Sequence, residues 1–254
     1  MLELAVERPR FGCPRIHILL RREGFTANHK LTHRIYCEED LQVKRRKRRK
    51  RAAAAPREAM LIPEYPHQRW SMDFVSDRLQ DGRTLRVLNV VDHHSRLSVA
   101  MEADLSLPGE RVGRVLDRAA AKYGWPSAIV MDNGPEFTSK ALDQWAFERN
   151  VTLYFIDPGK PTQNAFVESM NGKFRDECLS QTWFTSLPHA RQEIANWRAD
   201  YNETRPHKAL DWRTPAEAER AASCSPERLF RKSELSSREE TRPASLRTNA
   251  RISN

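Results

Sequence analysis

From residue 69 onward, short runs with strand periodicity alternate with longer runs of helical periodicity, and this alternation limits the possible folds more than any other feature. Three strand-like runs come first, "RWSMDFVSDRL", "RTLRVLNVVDHHS" and "RLSVAMEADL", and they are close enough in sequence to pair as hairpins. Helix, strand, helix, strand and helix follow, in "PGERVGRVLDRAAAKYG", "SAIVMD", "TSKALDQWAFERN", "VTLYFID" and "NAFVESMNGKFRDECL". The order βββαβαβα predicts an α/β protein with a mixed five-stranded sheet flanked by helices, and argues against a doubly wound parallel sheet.

The segment before this unit is predicted to be helical. Residues 12–41 contain two short helical patterns around a turn at Gly24. Apolar residues at helical spacing could give them a small shared core: Ile16, Leu19, Leu20, Leu31 and Ile35. This pair resembles part of a helix-turn-helix unit, and it is equally compatible with a helical pair that reads no bases.

Changes in composition divide the chain into four predicted segments. They are a small helical unit (1–43), a basic linker containing Ala and Pro (44–65), the α/β unit with a C-terminal helical extension (66–222), and a polar tail predicted to be disordered (223–254).

The charge of the chain predicts a polyanionic partner. Lys and Arg number 43 and Asp and Glu 34, which gives a net charge of +9. Eight consecutive basic residues stand in the linker and have the composition of a phosphate-binding arm: Lys44, Arg45, Arg46, Lys47, Arg48, Arg49, Lys50 and Arg51. No apolar run is long enough for a signal peptide or a membrane span. We therefore expect a cytoplasmic protein that binds nucleic acid and no membrane.

Two aspartates are predicted to meet at the sheet. Asp132 stands where the buried strand "SAIVMD" ends and a turn begins, and Asp73 lies in the middle of the first strand. The first strand of a hairpin sheet usually lies next to the strand that enters later by a crossover. A turn residue and a solvent-facing strand residue are the ordinary alternatives for the two positions.

A third carboxylate, Glu168, lies in the long helix after the last strand. Helical periodicity puts Asn164, Asn171 and Arg175 on its face, which would border the strand ends if the apolar face packs on the sheet. A solvated polar face is the alternative. Three gathered carboxylates repel one another unless a cation is bound. Carboxylate oxygens favour Mg²⁺ or Mn²⁺, and two such ions about 3.5 to 4 Å apart can catalyse reactions at a phosphodiester.

These residues lie within sequence motifs that resemble those of a known family. Asp132 and Glu168 have 35 residues between them, and with Asp73 they are similar to the D, D-35-E signature of retroviral-integrase-like transposases. The surrounding words resemble the OrfB transposases of the IS-three group of bacterial insertion sequences: "WSMDF", "LNVVDHHSR", "MDNGPEFTS", "PGKPTQNAFVESMNGKFRDECL" and "YNETRPHKALDWRTP". The resemblance covers about residues 8 to 217.

The resemblance implies a ribonuclease-H-like fold and an integrase catalytic core in residues 66–222. It implies that Asp73, Asp132 and Glu168 bind Mg²⁺ or Mn²⁺, with two ions per site. It also implies DNA contacts by residues on the long helix and the loop before it: Lys160, Asn164, Lys173 and Arg175.

The activity implied is metal-dependent cleavage at the ends of an insertion sequence and transfer of the freed strand to another site. DNA, an OrfA segment or fusion partner, and further copies of the chain on DNA are the expected partners, in the nucleoid of a bacterial cell. Two alternatives remain at this point. One is a DNA-binding regulator or remnant without catalysis, and the other is a ribonuclease-H-type nuclease that cuts RNA in hybrids.

Overall fold

The computed structural model describes residues 1–43, 63–156 and 164–223. The basic run Lys44–Arg51, the loop that contains Lys160 and the predicted tail from residue 224 lie outside the described residues.

A five-stranded mixed sheet forms the centre of the molecule, as the order of elements predicts. Its strands are β1 (Arg69–Arg78), β2 (Thr84–Asp92), β3 (Ser98–Asp104), β4 (Ala128–Met131) and β5 (Thr152–Phe155). They are arranged in the order β3-β2-β1-β4-β5. The hairpin strands β1, β2 and β3 pair antiparallel, whereas β4 and β5 enter by crossovers and pair parallel. The strand β1 therefore lies between a hairpin partner and a crossover partner.

Eight α-helices surround the sheet or precede it. They are α1 (Leu2–Glu7), α2 (Cys13–Arg22), α3 (His29–Glu38), α4 (Gly109–Tyr123), α5 (Lys140–Arg149), α6 (Ala165–Phe174), α7 (Leu187–Glu203) and α8 (Pro215–Ser223). The long helix predicted around Glu168 is α6, and it continues as a π-helical turn over Arg175–Leu179. The count refers to the three described stretches of chain.

The two faces of the sheet carry separate apolar cores. Trp70 and Met72 of β1 pack with α4 and α5 on one face. Val75 of the same strand packs with Val167 and Met170 of α6 on the other face, together with α7. Because strand side chains alternate between faces, odd-numbered residues of β1 face α6. Asp73 therefore points toward the helix that carries Glu168.

The Ser139 side chain caps the N-terminus of α5. Ser139 accepts a hydrogen bond from the Leu142 backbone N–H (3.4 Å) at the start of α5. A Cβ atom at Gly109 would overlap the Ser139 hydroxyl, so the glycine lets α4 approach that cap closely. Such a cap contributes about 1 kcal/mol to helix stability.

The N-terminal helical unit packs partly as predicted. Ile16, Leu19 and Leu20 of α2 are buried as predicted. Leu31 of α3 is 39% exposed and Ile35 lies outside the buried cluster, so the prediction was wrong for these two residues, and Tyr36 is the residue of α3 in the core. Helix α1 is an addition to the two predicted helices. None of the described helices is both long and apolar enough to cross a lipid bilayer.

This helical unit is joined to the C-terminal helices by arginine contacts. Arg8 Nη1 donates to Asp200 Oδ2 of α7 at 2.7 Å. Arg22 Nη2 donates to Glu217 Oε2 of α8 at 2.8 Å and to the Trp212 carbonyl at 3.1 Å. Each contact joins residues more than 180 positions apart, and together they hold the helical unit against α7, α8 and the segment between them.

Candidate active site

Asp73 and Asp132, the two aspartates predicted to meet, lie side by side near the centre of the sheet. The parallel register of β1 and β4 ends with Ser71 opposite Val130. Two residues further along each chain, Asp73 is brought beside Asp132, which directly follows β4. The structure therefore brings together two of the three predicted carboxylates.

The environment of Asp73 disfavours its negative charge. Burial raises the pKa of its carboxyl group, and the nearby charge of Asp132 raises it further, to about 6. Hydrogen bonds from the Phe74 backbone and the Asn171 side chain, and the charge of Arg175, act in the opposite direction and only partly compensate. A carboxylate with this pKa is one that a bound cation would stabilise.

A chain of buried amides fixes the orientation of Asp73. Asn171 Nδ2 of α6 donates to Asp73 Oδ2 at 2.7 Å. Asn89 Nδ2 of β2 donates to Asn171 Oδ1 at 2.6 Å, which leaves the NH₂ group of Asn171 to face Asp73. Asn89 is directly opposite Asp73 in the β1–β2 register, and both asparagines are almost completely buried.

This amide relay (Asn89, Asn171 and Asp73) was not predicted from the sequence. A signal for it is present, because Asn89 interrupts the apolar run of β2 and a buried amide needs hydrogen-bond partners. Strand alternation and the β1–β2 pairing would then have directed Asn89 toward the same face as Asp73.

The turn after Asp132 is anchored on two sides. Asp132 Oδ1 accepts a hydrogen bond from the Gly134 backbone N–H at 3.1 Å. Asn133 Nδ2 donates to the Ile156 carbonyl at 3.0 Å, which ties the turn to the end of β5. Glu136 forms an ion pair with Arg86 of β2, whose guanidinium lies 4.5 Å from the Phe74 ring centroid. These contacts hold a strand-end carboxylate on a fixed backbone.

Glu168 lies on the same helix flank as the residues that contact Asp73, but its own side chain is exposed. Asn164, four residues before Glu168, donates through Nδ2 to the Met72 carbonyl at 3.4 Å. Asn171, three residues after Glu168, donates to Asp73. Within the described residues, no three His, Cys, Asp or Glu side chains form a group that could hold a metal ion. The structure thus places the backbone of Glu168 on the flank of α6 that carries Asn164 and Asn171, without gathering its carboxylate with the two aspartates.

The predicted DNA-contact residues have different positions. Arg175 is exposed and close enough to act on the charge of Asp73. Asn164, in contrast, is 2% exposed, and its side-chain Nδ2 donates to the Met72 carbonyl of β1. Lys173 lies on a different flank of α6 from Glu168, and Lys160 and the arm Lys44–Arg51 lie outside the described residues.

The donor atoms fit a divalent cation in their chemistry. Asp73 and Asp132 present carboxylate oxygens, which are hard ligands, and their mutual repulsion would be relieved by a positive ion. The histidine nearest in sequence to β2, His93, is fully buried, and burial lowers its pKa to about 3. It packs edge-on against Phe166, with 4.6 Å between the ring centroids.

Comparison with known families gives three matches along the chain. The family described as HTH-like domain matches residues 2–49, and two families described as integrase core domain match residues 63–161 and 149–215.

Two curated relatives come from bacterial insertion elements. The chain is 52% identical to a 31.7 kDa protein of insertion element IS407 from Burkholderia multivorans, over 85% of this chain and 78% of that protein. It is 46% identical to a 39.2 kDa protein of insertion element IS476 from Xanthomonas euvesicatoria, over 85% of this chain and 62% of that protein.

Two solved structures share the fold at low sequence identity. A chain of the simian T-cell lymphotropic virus intasome, in complex with a PP2A regulatory subunit, aligns with a TM-score of 0.60 at 18% identity, over 88% of this chain and 76% of that one. The HTLV-2 integrase catalytic core domain in complex with magnesium aligns with a TM-score of 0.50 at 16% identity, over 61% of this chain and 98% of that one. The sheet with its flanking helices therefore has the integrase-like ribonuclease H fold.

Proposed function

We propose that this chain, which belongs to the integrase core family of insertion-element transposases, is a metal-dependent DNA strand transferase with Asp73, Asp132 and Glu168 as its catalytic carboxylates. The observation that carries the proposal is the adjacency of Asp73 and Asp132, two like charges held together by parallel strands. Such an arrangement is costly in a protein without a cation and suits one with it.

The three carboxylates would hold Mg²⁺ or Mn²⁺, with two ions per site. Such ions, when bound, supply activation of an attacking oxygen and stabilisation of a leaving oxygen at a phosphodiester. The magnesium in the HTLV-2 integrase structure supports this choice of metal by analogy of fold.

The residues of the chain then position the reacting groups. Asn171 would fix the rotamer of Asp73, and the exposed guanidinium of Arg175 would contact a phosphate beside the site. In the first step a water oxygen attacks the phosphorus at the element end, and the 3′ oxygen of that end leaves with a proton. In the second step the freed 3′ hydroxyl attacks another phosphodiester and displaces a new 3′ oxygen.

Neither step requires a covalent intermediate with the protein. Tyr201, the tyrosine of the "YNETRPH" segment, is 2% exposed, and burial raises the pKa of its hydroxyl group. It packs against Trp197 at 5.1 Å and His207 at 4.9 Å between ring centroids. These contacts support a packing role, since a nucleophile needs access to its substrate.

The helical unit with α2 and α3 would add DNA binding outside the active site. The HTH-like match and the net charge of +9 support this role. Recognition of the element ends would require an OrfA segment or fusion partner, and two coordinated strand breaks would require at least two copies of the chain on DNA in the bacterial cytoplasm.

A strand-transfer assay tests the proposal. The full chain, with and without an OrfA-fused form, is incubated with a labelled duplex that carries the flanking element's end sequence, in Mg²⁺, Mn²⁺ or EDTA. Joined products should appear only with a divalent metal, and they should disappear in Asp132→Asn and Glu168→Gln while DNA binding persists.

Asp143→Asn is the matched control, since Asp143 is an exposed aspartate on α5 outside the site. Joined products from Asp132→Asn, or loss of DNA binding together with loss of activity, would contradict the assignment. Cleavage of RNA in hybrids by the wild type without DNA joining would favour a nuclease instead.

A further inference from the structure

A second charged cluster lies on the other flank of α6. Four basic side chains from distant parts of the chain lie within electrostatic reach of one another there, two of them over one aromatic ring: Arg15 of α2, Arg96 in the turn before β3, Lys173 of α6 and Arg205 after α7. We call this group the cationic cluster. Lys173 is five residues from Glu168, so helical periodicity places it roughly 140° around the helix from the catalytic flank.

Aromatic rings and hydrogen bonds hold these four side chains in place. The guanidinium carbons of Arg15 and Arg205 lie 5.4 and 4.8 Å from the centroid of the same ring, Phe11. The Arg96 guanidinium lies 3.5 Å from the Phe166 ring centroid. Lys173 Nζ donates to the hydroxyl group of Ser169 at 3.0 Å, one turn back on α6. These contacts order the cations without neutralising them.

The positive charge of the cationic cluster is balanced only in part by carboxylates: the charge of Glu177 acts on Lys173, Arg15 and Arg205. Arg205 forms an ion pair with Glu177, but Arg15, Arg96 and Lys173 have no ion pair with any residue in 1–43, 63–156 or 164–223. Burial lowers the pKa of Arg96 and the charge of Asp92 acts in the opposite direction, but no ion pair joins these two described side chains. The Asp92 carboxylate oxygens accept hydrogen bonds from the backbone N–H groups of His67 and Ser95.

Burial makes this imbalance costly. Burial and then the charges of Arg205, Arg15 and Arg96 lower the pKa of Lys173 to about 8, and the charge of Glu177 offsets this only in part. Arg205 is only 2% exposed, and its Nε has no hydrogen-bond partner among the described residues. Buried like charges with free donors are favourable only when an anion joins them.

The backbone at Arg96 adds an independent sign of a functional site. Arg96 has φ of +62°, a left-handed conformation that costs a non-glycine residue free energy. Its backbone N–H closes the turn by donating to the Asp92 carbonyl at 3.1 Å. The turn therefore holds Arg96 in a strained conformation, with its guanidinium over the Phe166 ring of α6.

We propose that the cationic cluster is a phosphate-binding site that holds one backbone phosphate of a DNA strand. Guanidinium groups match the geometry of phosphate oxygens. A cluster of cations binds an anion more favourably than a neutral ligand. That the phosphate belongs to DNA, rather than to a free anion, rests on the proposed function. The site takes the sugar-phosphate backbone and therefore confers no sequence preference.

Salt dependence of DNA binding tests the site. Wild type, Lys173→Gln and Arg114→Gln are titrated with a labelled duplex in EDTA at pH 7, between about 50 and 200 mM salt. Loss of one phosphate contact should make the slope of log K against log salt shallower by about 0.9 in Lys173→Gln, with affinity about five- to tenfold lower near 0.1 M salt. Arg114 is exposed on α4, at the opposite face of the sheet, and its variant should keep the wild-type slope.

Inorganic phosphate distinguishes the two sources of the anion. Phosphate, compared with chloride at equal ionic strength, should raise the Tm of wild type and Arg114→Gln more than that of Lys173→Gln. An unchanged slope in Lys173→Gln, or an equal change in Arg114→Gln, overturns the DNA site. Protection by phosphate without any change in slope assigns the cluster to a free anion and likewise overturns it.

The outcome is separable from that of the strand-transfer assay, because binding in EDTA does not use the carboxylates. A wild type that joins strands but shows the same slope as Lys173→Gln overturns the phosphate site alone. A wild type that shows the slope difference but joins no strands contradicts the proposed activity alone. A wild type that binds no DNA contradicts both.

Discussion

The two flanks of α6 carry opposite charge and are built in opposite ways. On the flank of the proposed catalytic site, Asp73 and Asp132 lie together, and neutral amides hold Asp73 in place. On the other flank four cations converge, held by aromatic rings and by one ion pair between Arg205 and Glu177. Each flank is electrostatically incomplete, and DNA with a divalent cation would complete both at once.

This contrast separates the expected effects of mutations. Neutral amides fix the geometry of a carboxylate without reducing its negative charge as an arginine would. On the other flank, the ion pair with Glu177 compensates the charge of the buried Arg205 guanidinium. Changes on the catalytic flank should therefore affect rate first, and changes on the basic flank should affect stability and DNA affinity.

The largest effect is expected from Asp73→Asn. We predict a fall in strand-transfer rate of about 10³-fold or more, because several kcal/mol of metal-assisted stabilisation are lost at about 1.4 kcal/mol per factor of ten. DNA affinity should change little. Asp77→Asn, on the same strand and outside the site, should retain the wild-type rate.

The same substitution should stabilise the protein in metal-free buffer. The pKa of Asp73 is raised from 3.8 to about 6, so the folded state favours the protonated form. The contribution of Asp73 to stability is then full below pH 4 and is lost as the pH rises to about 6. The free energy of unfolding of Asp73→Asn should exceed that of wild type by about 1 to 3 kcal/mol at pH 7 and by almost nothing at pH 4. A difference that does not grow with pH would refute this.

Glu177→Gln should produce the second-largest effect, on stability. It leaves the Arg205 guanidinium buried without its partner, and breaking a buried ion pair typically costs about 3 to 5 kcal/mol. Glu203→Gln removes a carboxylate from an exposed pair with Arg220, and it should cost less than about 1 kcal/mol. Urea unfolding of both variants measures the difference, and equal midpoints would show that Arg205 does not depend on Glu177.

Sequence patterns were sufficient for the sheet because strand alternation and helical periodicity are local. The order βββαβαβα led to the mixed sheet, and the crossover into β4 led to the neighbourhood of Asp73 and Asp132. These two relations depend on which elements follow one another and not on side-chain detail.

Contacts between distant residues could not be obtained in the same way. The Asn89–Asn171 hydrogen bond joins residues 82 positions apart, and the cationic cluster gathers side chains from α2, α6 and two turns. Leu31 shows a different limit, because its helical spacing suited a core position that Tyr36 fills. Periodicity shows which face of a helix is apolar, but the size and direction of each neighbour decide which side chain occupies the space.

The amide relay should give a smaller effect on rate than the carboxylates themselves. Asn89→Leu leaves Asn171 Oδ1 without its donor, so the amide of Asn171 can turn away from Asp73. Groups that orient metal ligands typically change metal affinity or activity about 10- to 100-fold. We expect a rate reduction of that size with a higher Mg²⁺ concentration at half-maximal rate.

A second buried asparagine separates positioning from simple loss of stability. Asn202 of α7 lies outside the relay. Its Oδ1 accepts a hydrogen bond from the Ser98 N–H, and its Nδ2 donates to the Ser98 carbonyl. Asn202→Leu should lose about 1 to 3 kcal/mol of stability, as Asn89→Leu does, without a shift in Mg²⁺ dependence. A shift in both variants, or in neither, would argue against a specific role for Asn89.

The smallest effects should come from single cations on the two flanks, and they test whether one DNA strand contacts both. Arg175 and Lys173 are two residues apart but on different sides of α6. Each change to Gln should make the salt slope of DNA binding shallower by about 0.9, which is a few-fold in affinity at physiological salt. If the flanks hold separate phosphates, the double variant should show about twice the slope change of either single variant, as expected for independent contacts. A double variant no different from Lys173→Gln alone would mean that Arg175 acts on Asp73 and not on DNA, and the two flanks would then have one phosphate contact between them.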